Sequence, residues 1–259
     1  MIWALVLVLA FAPAPVLAQG ATAPDAPQQA AGAAAPAALL QEIDGSWEQR
    51  DELGRMDAMG AKLEEALKRW PGDYEILWRL SRHYFWLADD PGLAKKEKSR
   101  LGKIGWEHGD RATAVNPARV EGWDYAAAGM GNYALGIGIF TALRQGIEGK
   151  FKDRLSRAER IDPAFQHGAI QTAWGRFWYE LPWPKHDAKK CRLALEDALA
   201  QNPDNVRARV YLADLLKKQD RPEEARKELE AAVANAPGRY DAPEERRWQA
   251  AARERLKGK

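Results

Sequence analysis

The chain has 259 residues, 39 Lys+Arg against 37 Asp+Glu, a net charge of +2, one Cys and 11 Trp. The length allows one large domain or two small ones, and the charge balance argues against nucleic acid as a partner. A single Cys excludes an intrachain disulfide framework and every multi-Cys zinc site, and His83, His108, His167 and His186 lack metal-ligand spacing, so neither a metal nor a cofactor is expected.

Residues 2–18 carry no charge; an apolar run is broken by Pro13 and Pro15 and ends in Val16-Leu17-Ala18. Small residues at the −3 and −1 positions predict an export signal cleaved after Ala18, although no Lys or Arg precedes the run. The run is short for a membrane anchor and contains two prolines. Cys191 lies far downstream, so a lipoprotein is excluded and a periplasmic or secreted protein is expected. Residues 19–38 are mostly Ala, Pro and Gln, with Asp25 their only charge, and read as a flexible tether. The folded part is expected over 39–259.

Five prolines, Pro71, Pro117, Pro163, Pro203 and Pro237, follow one another at intervals of 46, 46, 40 and 34 residues. The last interval is the tetratricopeptide period. Five residues before each stands an alanine: Ala66, Ala112, Ala158, Ala198 and Ala232. Eight before stand Leu63, Gly109, Leu155, Leu195 and Leu229; ten after the first four prolines stand Ser81, Ala127, Ala173 and Ala213. Antiparallel helices approach closely where one offers a small residue and the other a larger one. The pattern predicts an all-α, tetratricopeptide-like solenoid of helical hairpins without a sheet. Asn116-Pro117, Asp162-Pro163 and Asn202-Pro203 read as a capping residue with a proline opening the next helix. A last helix over 243–256, containing Trp248, reads as a terminal cap.

The middle repeats exceed the standard unit by 12, 12 and 6 residues, so helices must be lengthened or short ones added. Residues 126–143 carry no charge and include four glycines. A membrane span inside a solenoid is topologically awkward, and Asn132, Tyr133 and Thr141 are polar. Gly129-Met130-Gly131 lacks the third glycine of a dinucleotide loop, and Gly146-Ile147-Glu148-Gly149-Lys150 lacks phosphate-loop spacing. Two readings remain: close helix packing, and the wall of an apolar cavity. Trp174, Phe177, Trp178, Tyr179 and Trp183 form an aromatic cluster around Arg176, whose place is normally apolar and which should pair with a carboxylate or face a cavity. Tyr84, Phe85 and Trp86 are consecutive and cannot share one helix face. Cys191 falls on a packing position, His167 reads as a solvent or capping residue, and Arg253, Arg255, Lys257 and Lys259 as a solvated helix end.

Particular residues carry a family resemblance. Glu121-Gly122-Trp123-Asp124-Tyr125-Ala126-Ala127 with Gly131, Gly138-Ile139 through to Gly149-Lys150-Phe151, and Arg157-Ala158 with Ile161-Asp162-Pro163 resemble the T component of TRAP transporter systems. Gly168, Gly175-Arg176, Leu181-Pro182, Leu195-Glu196-Asp197-Ala198-Leu199 and Pro203-Asp204-Asn205 fit as well. The resemblance covers residues 77–235, the long insertion included. It implies a periplasmic helical protein that associates with a solute-binding protein, oligomerises around a hydrophobic pore or cavity, and takes a hydrophobic or organic-acid-like ligand. Many members are lipoproteins; this chain departs from them in having no Cys at the cleavage site.

The functional expectation is a non-catalytic protein, since no Ser/His/Asp, Cys/His or paired-carboxylate constellation stands out. Candidate ligand- or partner-binding residues in the oversized repeats are Trp123, Asn132, Tyr133, Ile137, Phe140, Arg176 and Trp178. The alternative is a general periplasmic scaffold that holds a protein on its concave face, with no ligand.

Overall fold

The computed structural model describes residues 34–258, and every regular element among them is helical. The helices in chain order are α1 (Ala37–Trp47), α2 (Arg55–Arg69), α3 (Tyr74–Ala88), α4 (Lys95–Val115), α5 (Val120–Ile137) and α6 (Ile139–Arg144). They continue as α7 (Ile147–Ile161), α8 (Ala169–Glu180), α9 (Ala188–Gln201), α10 (Val206–Lys218), α11 (Pro222–Ala234) and α12 (Ala242–Lys257), with one 3₁₀ turn at Phe165–His167. The expected export signal and most of the tether lie outside the described residues.

The repeat follows from the alanines. Helices α2, α4, α7, α9 and α11 each end just before one of the five prolines, and the alanine five residues ahead is at most 2% exposed in every case. In the first four, the residue after the helix donates its N–H to that alanine's carbonyl at 2.8–2.9 Å. The facing helices α3, α5 and α10 bury Ser81, Ala127 and Ala213 opposite. Leu63, Leu155, Leu195 and Leu229 fill the space left, as close packing of antiparallel helices requires.

The prolines themselves do not open helices. Asn116, Asp162 and Asn202 each accept, through Oδ1, the N–H two residues on, from Ala118, Ala164 and Asp204 respectively. These side-chain turns reverse the chain. The following helices start later, and the observed caps are Asp73, Asp187, Asn205 and Asp241, which accept from the N–H groups of Ile76, Lys190, Ala208 and Glu244.

The extra chain of the long repeats lengthens α4 to 21 residues and α5 to 18, and adds the six-residue α6 after Gly138, whose φ is +89°. Helices α4 and α5 meet backbone to backbone. A Cβ on Gly129 would stand 2.5 Å from the Trp106 nitrogen, and one on Gly102 would stand 2.5 Å from the Tyr133 nitrogen. Tyr84, Phe85 and Trp86 point to three surroundings: Tyr84 stacks on His108 of α4, Phe85 faces the interior hollow, and Trp86 is buried edge-on against Trp47 of α1.

Trp86 belongs to a closure that brings the two ends of the repeat array together. Arg50, with its side chain 1% exposed, reaches Asp241 at the cap of α12, and Arg246 of α12 pairs with Asp51 at 2.6 Å. Arg207 of α10 binds Asp89 at the end of α3 at 2.6 Å and Glu244 of α12 at 2.5 Å. Arg247 lies 3.2 Å over the Trp86 ring and donates to the Trp86 carbonyl.

Gly129→Ala is expected to lower stability by about 1–3 kcal/mol, because neither backbone can yield. Gly45→Ala, in α1 with nothing within 4 Å of the added methyl, is expected to raise it by about 0.5–1 kcal/mol. Urea unfolding followed by circular dichroism checks both signs.

A candidate ligand cavity on the inner face

The first helix of each hairpin faces inward, so side chains of α3, α5, α8 and α10 surround a cavity of about 590 Å³. One wall is apolar. It is made by Ala128, Gly131, Ala134 and Leu135 of α5, by Ile139, Ala142 and Leu143 of α6, and by Phe151 and Phe177. Both readings of the uncharged segment therefore hold: one face of α5 packs on α4 and another lines the cavity.

The opposite end is polar, with Arg50, Arg82, Asp89, Asp124, Arg207, Tyr211 and Glu244 around it. Each arginine there is already engaged. Arg50 pairs with Asp241, Arg82 with Asp44, and Arg207 with Asp89 and Glu244. Arg176, further along the wall, lies between Glu180 and Asp214 and over the rings of Tyr179 and Tyr211. It meets both expectations made for it, a carboxylate partner and a place on the cavity.

Asp124 differs. It is 7% exposed and makes no hydrogen bond or ion pair to the described residues. Burial pushes its carboxyl up to about 7, against a smaller lowering by the Arg207 charge. Two turns along the same helix, Asn132 is also buried on the cavity wall. Tyr125 beside Asp124 is fully buried, stacks on Trp78, and accepts a hydrogen bond from Gln166 at 2.5 Å.

Of the seven sequence-derived candidates, the structure puts Asn132 and Arg176 on the cavity and the other five elsewhere. Trp123 donates to the Pro117 carbonyl under the Arg157 guanidinium. Tyr133 packs on Trp106 and donates to Gln145, and Ile137 joins the hydrophobic cluster around Phe151. Trp178 stacks on Trp174 with Lys190 above it. Phe140 is 72% exposed on the outside of α6. Apart from Phe140, these side chains pack against neighbouring elements of the array, which is where aromatic bulk stabilises a solenoid.

Three further expectations are settled. Cys191 is buried and its thiol is pushed up to about 11, so it is a packing residue. His167 caps no helix; it is exposed, as a solvent residue should be, and stacks on Tyr240 at 4.6 Å on the cavity rim. Arg255 is not simply solvated, since it grips Asp214 at 2.8 Å. Asp124 was missed because it neighbours Trp123: one residue turns a helix by about 100°, so the two point to different surroundings. The available signal was a carboxylate opening an otherwise uncharged helical stretch.

Among the described residues no group of His, Cys, Asp and Glu is arranged to hold a metal ion, and no helix is long and apolar enough to cross a membrane.

Comparison with known proteins agrees with the helical repeat. A tetratricopeptide repeat family model matches residues 187–253, which span α9 to α12. A crystal structure of a thermophilic TPR protein from Thermus thermophilus superposes with a TM-score of 0.62 at 24% identity, covering 83% of this chain and 99% of that one. No curated protein matches the chain. The chain thus has a tetratricopeptide-like helical-repeat fold.

The Asp124 carboxyl titrates near 7 when folded, against an ordinary value of 3.8. The folded state therefore retains a proton that the unfolded chain releases, and stability falls as pH rises through that interval. Asp124→Asn removes the effect. It is expected to raise unfolding free energy by about 1–3 kcal/mol at about pH 8 and to change little at about pH 4, as read from urea titrations at the two pH values.

Proposed function

We propose that this protein is an exported, non-catalytic accessory protein of a TRAP-type transport system, acting as its T component. In this reading it docks on a solute-binding protein and holds a largely apolar small molecule in the inner cavity. The observation that carries the reading is the wall built by α5 and α6. The insertion that lengthens the repeat beyond 34 residues is the same segment that lines the cavity, and it carries the residues of the family resemblance. Export to the periplasm, expected from residues 2–18, belongs to the same reading, as does self-association of several copies.

The general-scaffold alternative assigns the concave face to a protein partner. Against it, that face is occupied by the paired arginines of the closure and narrowed to a cavity of small-molecule size. A protein partner fits better on the outside, where Phe140 and Trp183 are 72% and 89% exposed.

Two variants separate the roles. Ala128→Trp, which fills the cavity, is expected to remove small molecules that co-purify with the protein and are released by organic extraction for mass spectrometry. It should leave affinity for the cognate solute-binding protein within about twofold. Phe140→Ala with Trp183→Ala should weaken that affinity about tenfold or more, and change stability by less than about 0.5 kcal/mol. Partner capture with no extractable ligand, unaffected by Ala128→Trp, would favour the plain scaffold.

A further inference from the structure

The cavity's polar end carries a chemical preference of its own. Asp124 is its one carboxylate that is both deeply buried and without a hydrogen bond or ion pair among the described residues. Such a group is costly to keep, because burial removes water without supplying a partner. The cavity arginines do not compensate it. Arg50, Arg82, Arg176 and Arg207 are held by Asp241, Asp44, Glu180 with Asp214, and Asp89 with Glu244.

The Nε atoms of Arg50 and Arg82 lack partners, yet both are covered. Each of these guanidiniums is sandwiched between two indoles: Arg50 lies 4.1 and 4.3 Å from the centres of Trp47 and Trp86, and Arg82 lies 4.3 and 4.6 Å from Trp47 and Trp78. An anionic ligand would find guanidiniums already paired with carboxylates, in a lining with more carboxylates than arginines. A cationic ligand would find an unpaired carboxylate; the rings of Phe85 and Tyr211 nearby already carry Arg207 and Arg176.

The rest of the cavity specifies the remainder of the ligand. From Asp124 the lining runs along α5 through Ala128 to Asn132, a rise of about 12 Å over eight residues. The side facing that path is formed by the apolar residues of α6.

We infer that the cavity binds a small amphipathic amine, with its ammonium head on the Asp124 carboxylate and its apolar body along Ala128 toward Asn132. This rests on the cavity being a ligand site, as proposed above, and replaces the organic acid implied by the family resemblance with a cation. Asp124 is then a binding residue whose stability cost the ligand offsets.

The test titrates the full-length protein with three molecules of equal chain length, 1-octylamine, 1-octanol and octanoate, by calorimetry at about pH 8. Octylammonium is expected to bind at least about tenfold more tightly than octanoate. Asp124→Asn should weaken octylammonium about tenfold or more and leave octanol within about twofold. Asp124→Glu should restore part of the octylammonium affinity. A merely structural Asp124 would instead lower stability on substitution and weaken all three ligands together, which would overturn the inference. Octanoate binding as tightly as octylammonium, or octylammonium binding untouched by Asp124→Asn, would also overturn it. If octanol still binds and Ala128→Trp abolishes that, the cavity reading survives such a result. If none of the three binds, the cavity reading falls and the amine with it.

Discussion

The arrangement depends most on one buried guanidinium. Arg207 joins Asp89, at the end of α3, to Glu244, in the first turn of α12, and lies 4.6 Å from the centre of the Trp248 ring. In an ordinary helical repeat each unit touches only its neighbours, and the inner face stays an open groove. Here the contact spans 118 residues of sequence, and Arg50–Asp241 spans 191. Breaking a buried pair of this kind leaves an uncompensated charge and costs about 3–5 kcal/mol. The geometry of the closure is therefore strongly specified, even where its net contribution to stability is small. It turns a groove into a cavity.

The same logic explains why α4 and α5 carry so much glycine. Each glycine inside a helix costs about 0.5–1 kcal/mol relative to alanine. In return Gly102 and Gly129 let the two backbones approach to distances that any side chain would forbid. With α4 held so close, the opposite face of α5 is left clear of bulky packing residues, and Ala128, Gly131 and Leu135 line the hollow. Close packing and cavity wall are two sides of one helix.

Much of the fold was legible in the sequence because its determinants are local and periodic. The alanine five residues before each proline must be small for the next helix to pack, and it recurs at every unit, so spacing alone revealed it. The prolines were read correctly as helix ends and incorrectly as helix starts. Asn116, Asp162 and Asn202 each open a side-chain turn, and the true caps lie further on. The closure left no periodic trace. Arg50 and Asp241 are ordinary charged residues in the sequence, and nothing about them announces a partner far along the chain. The candidate site suffered for the same reason. Aromatic residues were the conspicuous ones, yet Trp123, Tyr133 and Trp178 pack against neighbouring elements of the array. Asp124, one position from Trp123, faces the cavity.

The closure and the lone carboxylate are linked by charge. Around the polar end the arginines are already held by carboxylates, and the one neighbouring charge that favours the ionised form of Asp124 is that of Arg207. Burial outweighs that charge and keeps a proton on Asp124 up to about 7. At 7% exposure, the water that reaches the carboxylate hydrates it less well than bulk solvent does. An apolar molecule alone would strip away that water and deepen the cost. A bound cation would do the opposite, drawing Asp124 into its charged form and restoring the balance that the paired arginines leave incomplete. A cavity whose cations are all committed and whose spare group is an acid is complementary to a base. That complementarity is set by which partners the closure has already consumed.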